Sequence, residues 1–315
     1  MQRASSENPG ESAGALLALS NDLAGAVERA GRAVVAIYAR PRVPSSGILW
    51  RPDVVVAADH TIKRDEEITV TLPDGRSVPA SLAGRDLSTD LAVLKLQNAD
   101  LPPAEISDTA SLRVGHLVLA LGRSGGNSLG ASLGVISTLS GAWRTWRGGH
   151  IDQFVRLDLA IYTGFSGSAL VDASGRVVGL NTSGLARGMA LAIPTSTVNG
   201  VAEELLVKGH IARGYLGLGM QPVVLSHALQ KKLGLPTNSA LIIVSVEPDG
   251  PAEKAGALIG DVLVALDGTP VSDTDDVQAK LGREYIGKEL TASILRGGAV
   301  AKLVIQVGER PRKDK

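Results

Sequence analysis

Between residues 33 and 194 the chain breaks into short apolar segments: "VVAIYA", "SGILW", "DVVVAAD", "EITVTL", "LAVLKL", "HLVLALG", "FVRLDL", "RVVGLNT" and "MALAIP". Turn signals such as "PDGR" and "DASGR" separate them, and no long helical pattern intervenes. Strands this short, recurring about every ten residues, are antiparallel and close into barrels or sandwiches. With 44% hydrophobic residues but only 3% aromatic, the cores must be built from Val, Leu, Ile and Ala.

The 315 residues suffice for two domains. A Ser/Gly/Glu-rich start predicts a disordered tail over 1–20. A helix follows, capped by Ser20 or Asn21, and the first domain spans 21–209. Its last helix follows "AIP", with Thr195 or Ser196 as cap and an end near Gly209. A second domain over 213–309 has the strands "YLGLGMQPV", "ALIIVSV", "DVLVALDGTPV", "ELTASILRGG" and "VAKLVIQVG", with helices near "SHALQKKLG" and "DTDDVQAKLGRE". Residues 310–315 read as a polar tail.

Composition excludes several chemistries. Thirty-two Lys and Arg balance 32 Asp and Glu, so no basic excess exists to bind nucleic acid. The absence of cysteine removes disulfides, thiolate catalysis and cysteine–zinc sites. "GRSGGNSLG" lacks the lysine of a phosphate loop and reads as an ordinary loop. No H-E-x-x-H occurs and the five histidines are scattered, so neither a metal nor a cofactor is expected. No apolar run approaches the ~20 residues of a membrane span, and the polar N-terminus lacks the apolar stretch of an export signal, which predicts a soluble cytoplasmic protein.

Nucleophilic catalysis remains. A serine hydroxyl attacks only when a base takes its proton, the base is oriented by a carboxylate, and N–H donors meet the developing oxyanion. His60 follows the strand "VVVAAD", Asp90 immediately precedes "LAVLKL", and Ser166 sits in the glycine turn "TGFSGS" before "ALVD". Three polar residues at strand ends suit a site between two barrels. In that turn the N–H groups of Gly164 and Ser166 are candidate oxyanion donors. Each residue also has a plainer reading: His60 as a rim histidine bonded to a loop carbonyl, Asp90 as the cap of "LSTD", Ser166 as a turn hydroxyl. His116, His150, His210 and His227 lie beside surface signals and are read as structural.

"VVVAADHTI", "DGRSVPASLAGRDLSTDLAVLKL", "TGFSGSALVDASGRVVGLNT" and "MALAIPTSTV" resemble the HtrA/Deg family of trypsin-like serine proteases, from about residue 25 to 309. The resemblance implies a mainly β chain: a chymotrypsin-like double β-barrel followed by one PDZ domain. It implies His60 as general base, Asp90 as its orienting carboxylate, Ser166 as nucleophile, and the Gly164 and Ser166 N–H groups as oxyanion hole. In the nucleophile turn, Phe165 stands where the family usually has asparagine and Ser168 where it has glycine.

By the same resemblance, Ala160, Ile161, Tyr162, Ala190, Leu191 and Ala192 would line an apolar specificity pocket for aliphatic residues. In "GYLGLG", Tyr215, Leu216, Gly217 and Leu218 would receive a peptide C-terminus, with Val277 and Leu281 on the facing helix. The implied function is ATP-independent cleavage of misfolded or unfolded proteins, the implied assembly a homo-trimer, and the implied compartment periplasmic or extracytoplasmic. The alternative is a weak or inactive homologue serving as a peptide-binding, chaperone-like module.

Overall fold

The structure is a computed structural model that describes residues 9–124, 128–186 and 188–310, with backbone only for 9–13. Parts of three expectations therefore lie outside the described residues: the start of the N-terminal tail, the centre of "GRSGGNSLG", and the last five residues. The chain divides into two compact units, 1–211 and 212–315.

In the first unit, α1 (Pro9–Gly31) precedes a closed barrel of β1 (Val34–Tyr38), β2 (Ser45–Arg51), β3 (Val54–Ala58), β4 (Ile68–Thr71), β5 (Ser77–Asp86) and β6 (Leu91–Leu96). A second closed barrel contains β7 (Leu117–Gly122) and β8 (Gly130–Ser140). A small hairpin of β9 (Trp143–Arg144) and β10 (His150–Ile151) interrupts the chain before the barrel resumes. Its remaining strands are β11 (Phe154–Asp158), β12 (Ala169–Asp172), β13 (Val177–Thr182) and β14 (Ala190–Pro194), followed by α2 (Thr195–Lys208).

The unbroken apolar runs of "VVVAA" and "LAVL" follow from burial on both faces. In β3, Val55 and Ala57 fill the first barrel, while Val56 and Ala58 face the seam between the barrels. In β6, Ala92 and Leu94 point inward and Leu91 and Val93 point to the seam. From the second barrel, Leu121, Ala169, Leu180 and Ile193 join the same seam, and Ala26 of α1 and Val198 and Leu205 of α2 pack onto it. Full burial of each large aliphatic side chain contributes about 1.5–3 kcal/mol. The barrels are thus joined by a shared core, and the strand ends that open onto the seam are held in one frame.

Two local expectations are corrected. The helix begins at Pro9, well before Ser20, so the tail over 9–20 is helical. "SAGALLALS" is rich in Ala and Leu, strong helix formers that carry the helix beyond its packed half even with Leu16 and Leu17 exposed. Neither Thr195 nor Ser196 caps α2. The N-cap is Pro194, which makes no side-chain cap bond, and the Thr195 hydroxyl donates to the Ser107 carbonyl at 2.8 Å. Gly209 ends the helix in the left-handed conformation, as expected.

The second unit pairs β15 (Gly214–Tyr215) with β22 (Gly308–Glu309). Its main sheet runs β16 (Leu218–Val224), β17 (Ser239–Val246), β18 (Val262–Leu266), β20 (Glu289–Arg296) and β21 (Ala299–Gln306), with β19 (Thr269–Pro270) beside β18. Three short helices complete it: α3 (His227–Leu233), α4 (Pro251–Lys254) and α5 (Thr274–Ala279). Its core gathers Leu216, Leu241, Leu263, Val277, Leu290 and Ile305. Asp273 caps α5 through a reciprocal capping box with Asp276. The architecture is the mainly β, double-barrel-plus-sheet arrangement the resemblance implies.

Candidate active site

His60 lies in a single 3-10 turn, Asp59–Thr61, immediately after β3, and Asp90 stands one residue before β6. The two strands pair with Ala58 opposite Leu91, so both residues emerge at the same barrel end. The Asp59 N–H donates to the Asp90 carbonyl at 3.0 Å, closing that end. Asp90 has φ 58, a left-handed conformation that Asp tolerates better than most residues. The His60 N–H donates to its Oδ1 at 2.8 Å, and the His60 ring Nδ1 lies 2.8 Å from Oδ2 and 3.0 Å from Oδ1. Thr182, the last residue of β13, donates its hydroxyl to Oδ2 as well. Asp90 is 4% exposed and every one of these groups is a donor to it, as a buried carboxylate requires.

With Nδ1–H directed at Asp90, the other ring nitrogen of His60 is the one left to accept a proton. The turn-capping role in "LSTD" belongs to Asp86. Its carboxylate accepts from the Ser88 N–H (3.1 Å), the Ser88 hydroxyl (2.6 Å) and the Thr89 hydroxyl (2.7 Å).

Ser166 lies in the turn between β11 and β12, on the second-barrel side of the seam. Gly167 donates to the Asn181 carbonyl and Asn181 to the Ser168 carbonyl, both at 2.8 Å, which ties the turn to β13. The buried Ser168 hydroxyl accepts from Asn181 Nδ2 at 3.0 Å, so its side chain adds a bond to the turn. Gly164 and Gly167 have φ 90 and 89, where a side chain would be strained, and a Cβ on either would strike neighbouring main-chain or side-chain atoms.

Phe165 is 3% exposed. Its ring occupies a slot floored by Gly122 and Gly130, where added Cβ atoms would each approach it to 2.9 Å, and it meets Tyr162 edge-on at 5.3 Å. An aromatic side chain is accommodated at this position because two facing strands carry glycine.

The Gly164 carbonyl accepts from the Ser46 N–H at 2.9 Å and the Ser46 hydroxyl at 2.8 Å. The Phe165 N–H donates to the Tyr162 carbonyl and its carbonyl accepts from Ser168, both at 2.9 Å. The N–H groups of Gly164 and Ser166 donate to no acceptor among the described residues. The serine's own N–H and that of Gly164, two residues before it, are thus both unengaged among the described residues, as an oxyanion site needs. The Ser166 hydroxyl bonds to Ser183, at 2.9 Å from its Oγ and 3.3 Å from its N–H. It forms no hydrogen bond with His60, a contact that in unliganded sites often tightens only on binding.

Ala160 and Tyr162 are exposed and Ile161 half-buried on the segment leading to Ser166. Ala190 is half-buried, but Leu191 belongs to the seam core and Ala192 to the interior of the second barrel. Alternation along β14 sends the two side chains to opposite faces. Three of the remaining histidines meet near neighbours: His116 accepts from Arg113 (3.1 Å), His150 approaches Asp152 (3.4 Å), and His227 lies 3.3 Å from Gln230. His210 Nδ1 meets the Lys208 carbonyl at 3.0 Å.

Sequence reasoning missed Ser46, Thr182, Ser183 and Gly184. A Cβ on Gly184 would lie 2.5 Å from Asp90 Oδ2 and 2.6 Å from His60 Nδ1, so only glycine lets this segment pass the pair. The polar run "NTSG" directly after the apolar "VVGL" was the available signal.

In the second unit, β16 is an edge strand paired, among the described residues, only with β17, and α5 packs beside it. The Leu216 and Gly217 carbonyls accept from Ala252 and Glu247 at 2.8 Å, whereas their N–H groups are unengaged among the described residues. Val277 (0% exposed) and Leu281 (8%) pack into the core of this unit. Leu218 and Met220 on β16 remain half-buried and accessible. Burial, together with Glu247, raises the Tyr215 phenol above its ordinary value.

Residues 45–180 match the family model of a trypsin-like peptidase domain, and residues 214–307 match that of a PDZ domain. A probable periplasmic serine endoprotease, DegP-like, from Halomonas elongata is 32% identical over 281 residues, 88% of this chain and 58% of that protein. Its counterpart in Pseudomonas savastanoi pv. phaseolicola is 33% identical, covering 84% of this chain and 56% of its own. The chain therefore spans little more than half the length of these curated relatives. Among solved structures, the HtrA-type protease AlgW with decapeptide is 30% identical with TM-score 0.74, covering 92% of this chain and 99% of its own. The serine endoprotease from Yersinia pestis is 29% identical with TM-score 0.72, at 92% and 98% coverage. No helix among the described residues is long and apolar enough to cross a membrane.

Proposed function

Because the chain belongs to the HtrA/Deg family of trypsin-like serine proteases with a PDZ domain, we propose that it is an endopeptidase cleaving unfolded polypeptides without ATP, its second unit binding peptide C-termini. The observation that carries this reading is the His60–Asp90 pair at 2.8 Å, held at the same seam as Ser166. In this mechanism His60 takes the Ser166 proton as the oxygen attacks a peptide carbonyl, and Asp90 stabilises the imidazolium that forms. The Gly164 and Ser166 N–H groups receive the oxyanion. His60 then protonates the leaving amine, and water, activated by the same histidine, releases the acyl group. Ala160, Ile161 and Tyr162 contribute no acidic group to the substrate side, which favours an aliphatic residue before the cleaved bond.

For the second unit, the open edge of β16 would accept a peptide as an added strand, and the Leu216 and Gly217 N–H groups would meet its terminal carboxylate. Amidation of the peptide C-terminus should abolish most of the binding; equal affinity of the amide would exclude that role. The compartment we assign is extracytoplasmic, in line with relatives named periplasmic.

The test is fluorophosphonate labelling and casein cleavage by the full chain, with a C-terminal peptide present. Both should occur and disappear in Ser166→Ala. If the wild-type chain does neither, the peptidase reading fails. One observation favours a non-catalytic peptide-binding protein, the Ser166 hydroxyl bonded to Ser183 instead of His60, and the same labelling separates the two readings.

A further inference from the structure

We infer that Ser183 is a positioning residue that latches the nucleophile, holding the Ser166 hydroxyl away from His60 in the resting enzyme and so limiting the acylation rate. The inference rests on the peptidase reading above. Ser166 has one proton to donate and two lone pairs. Ser183 engages it twice, with its hydroxyl at 2.9 Å and its N–H at 3.3 Å, and these are the hydrogen bonds that the Ser166 hydroxyl makes. When Ser166 donates to Ser183, its one proton is committed there and is not aligned on the His60 nitrogen that must accept it.

Ser183 is well held for this task. Thr182 before it donates to Asp90, and Gly184 after it donates its N–H to the Thr182 hydroxyl at 2.9 Å. The segment that orients the base therefore also carries the competing partner of the nucleophile. Ser183 itself is exposed and lies outside the cores, so its hydroxyl is not needed for packing. The two partners compete for one hydroxyl, and removing the Ser183 oxygen shifts Ser166 toward His60. A single neutral hydrogen bond shifts such a population by about 2- to 10-fold.

The experiment compares wild type, Ser183→Ala, Ser183→Gly and Ser183→Thr as full chains, reading the inactivation rate constant and the apparent affinity for a fluorophosphonate probe separately. The alanine and glycine variants should react about 2- to 10-fold faster at saturation with unchanged probe affinity, while threonine, which keeps the hydroxyl, restores the wild-type rate. A merely structural role would not raise the rate constant alone. If wild type labels and both hydroxyl-free variants label no faster, the latch is overturned while the peptidase reading stands. If no chain labels, both fail together.

Discussion

The carbonyl of Gly164 is held by one residue from two directions: the N–H of Ser46 at 2.9 Å and the hydroxyl of Ser46 at 2.8 Å. Ser46 belongs to the first barrel and Gly164 to the turn of the second, so this contact aligns the candidate oxyanion donors across the seam. The same hydroxyl accepts the Arg123 N–H at 2.9 Å. Ser46→Ala removes that acceptor from the Arg123 N–H and frees one side of the Gly164 peptide. We expect a stability loss of about 1–3 kcal/mol and a fall of roughly tenfold in fluorophosphonate labelling rate, checked by denaturant titration and labelling kinetics.

Asp90→Asn isolates charge from backbone strain, because asparagine also tolerates the left-handed φ of this position. The amide can no longer accept at both oxygens from His60 and Thr182, and it favours the wrong tautomer of the ring. The expected result is a fall in kcat of about 10³–10⁴-fold with little change in thermal midpoint. A peptide-substrate assay beside a melting curve checks it.

Gly184→Ala places a methyl 2.5 Å from Asp90 Oδ2 and 2.6 Å from His60 Nδ1. Both atoms are fixed by their mutual bond, so the pair must separate or the segment must move. Stability should fall by about 1–3 kcal/mol, the usual cost of overpacking, whereas kcat should fall by more than about tenfold, since displaced catalytic groups cost disproportionately. Activity at a temperature where the variant is fully folded distinguishes the two effects.

Phe165→Ala empties the slot between Gly122 and Gly130. Truncating a buried phenylalanine costs about 3–5 kcal/mol. Restoring bulk from the other side, with Gly130→Ala in the same chain, should recover part of the loss, whereas Gly130→Ala alone should destabilise. Unfolding of the four chains of this cycle tests the packing.

In the second unit, Asp261 (2% exposed) receives both arms of Arg296 at 2.7 and 2.8 Å and the Leu258 N–H at 2.8 Å. The Arg296 bond, with the Leu258 N–H and the guanidinium charge, holds its carboxyl below the ordinary value despite burial. A depressed folded-state pKa contributes stability above the unfolded value, about 3.9, and that contribution is lost as pH falls from there toward the folded value. The wild-type second unit should therefore lose stability below about pH 4, and Asp261→Asn should flatten that slope while costing about 1–3 kcal/mol at neutral pH. Thermal melts followed in the second unit between pH 7 and pH 2.5 check the sign.

Much of this arrangement is legible in the chain. Local pattern marked His60, Asp90 and Ser166 as polar residues at the ends of apolar runs, and the resemblance to the HtrA/Deg family singled them out as candidates. The glycines of "TGFSGSAL" announced a turn with left-handed residues, and Gly164 and Gly167 have that geometry. The burial of Leu191, Ala192, Val277 and Leu281 was not legible, because an apolar residue beside a cleft and one beneath it look alike in sequence. Only the direction of the side chain separates them, and it is set by strand register and helix packing.

The residues missed altogether share a different cause. Ser46 meets Gly164 across 118 positions, Thr182 meets Asp90 across 92, and Ser183 meets Ser166 across 17. No local periodicity encodes such contacts. The amino-acid pattern by itself determined short antiparallel strands that close into a barrel or sandwich, then a second small domain, with three polar residues at strand ends, since hydrophobic alternation and turn chemistry act over a few residues. Which groups those three bond to was decided by tertiary structure. The seam brings distant hydroxyls and amides within hydrogen-bond range, and there one extra oxygen, that of Ser183, competes with His60 for the nucleophile.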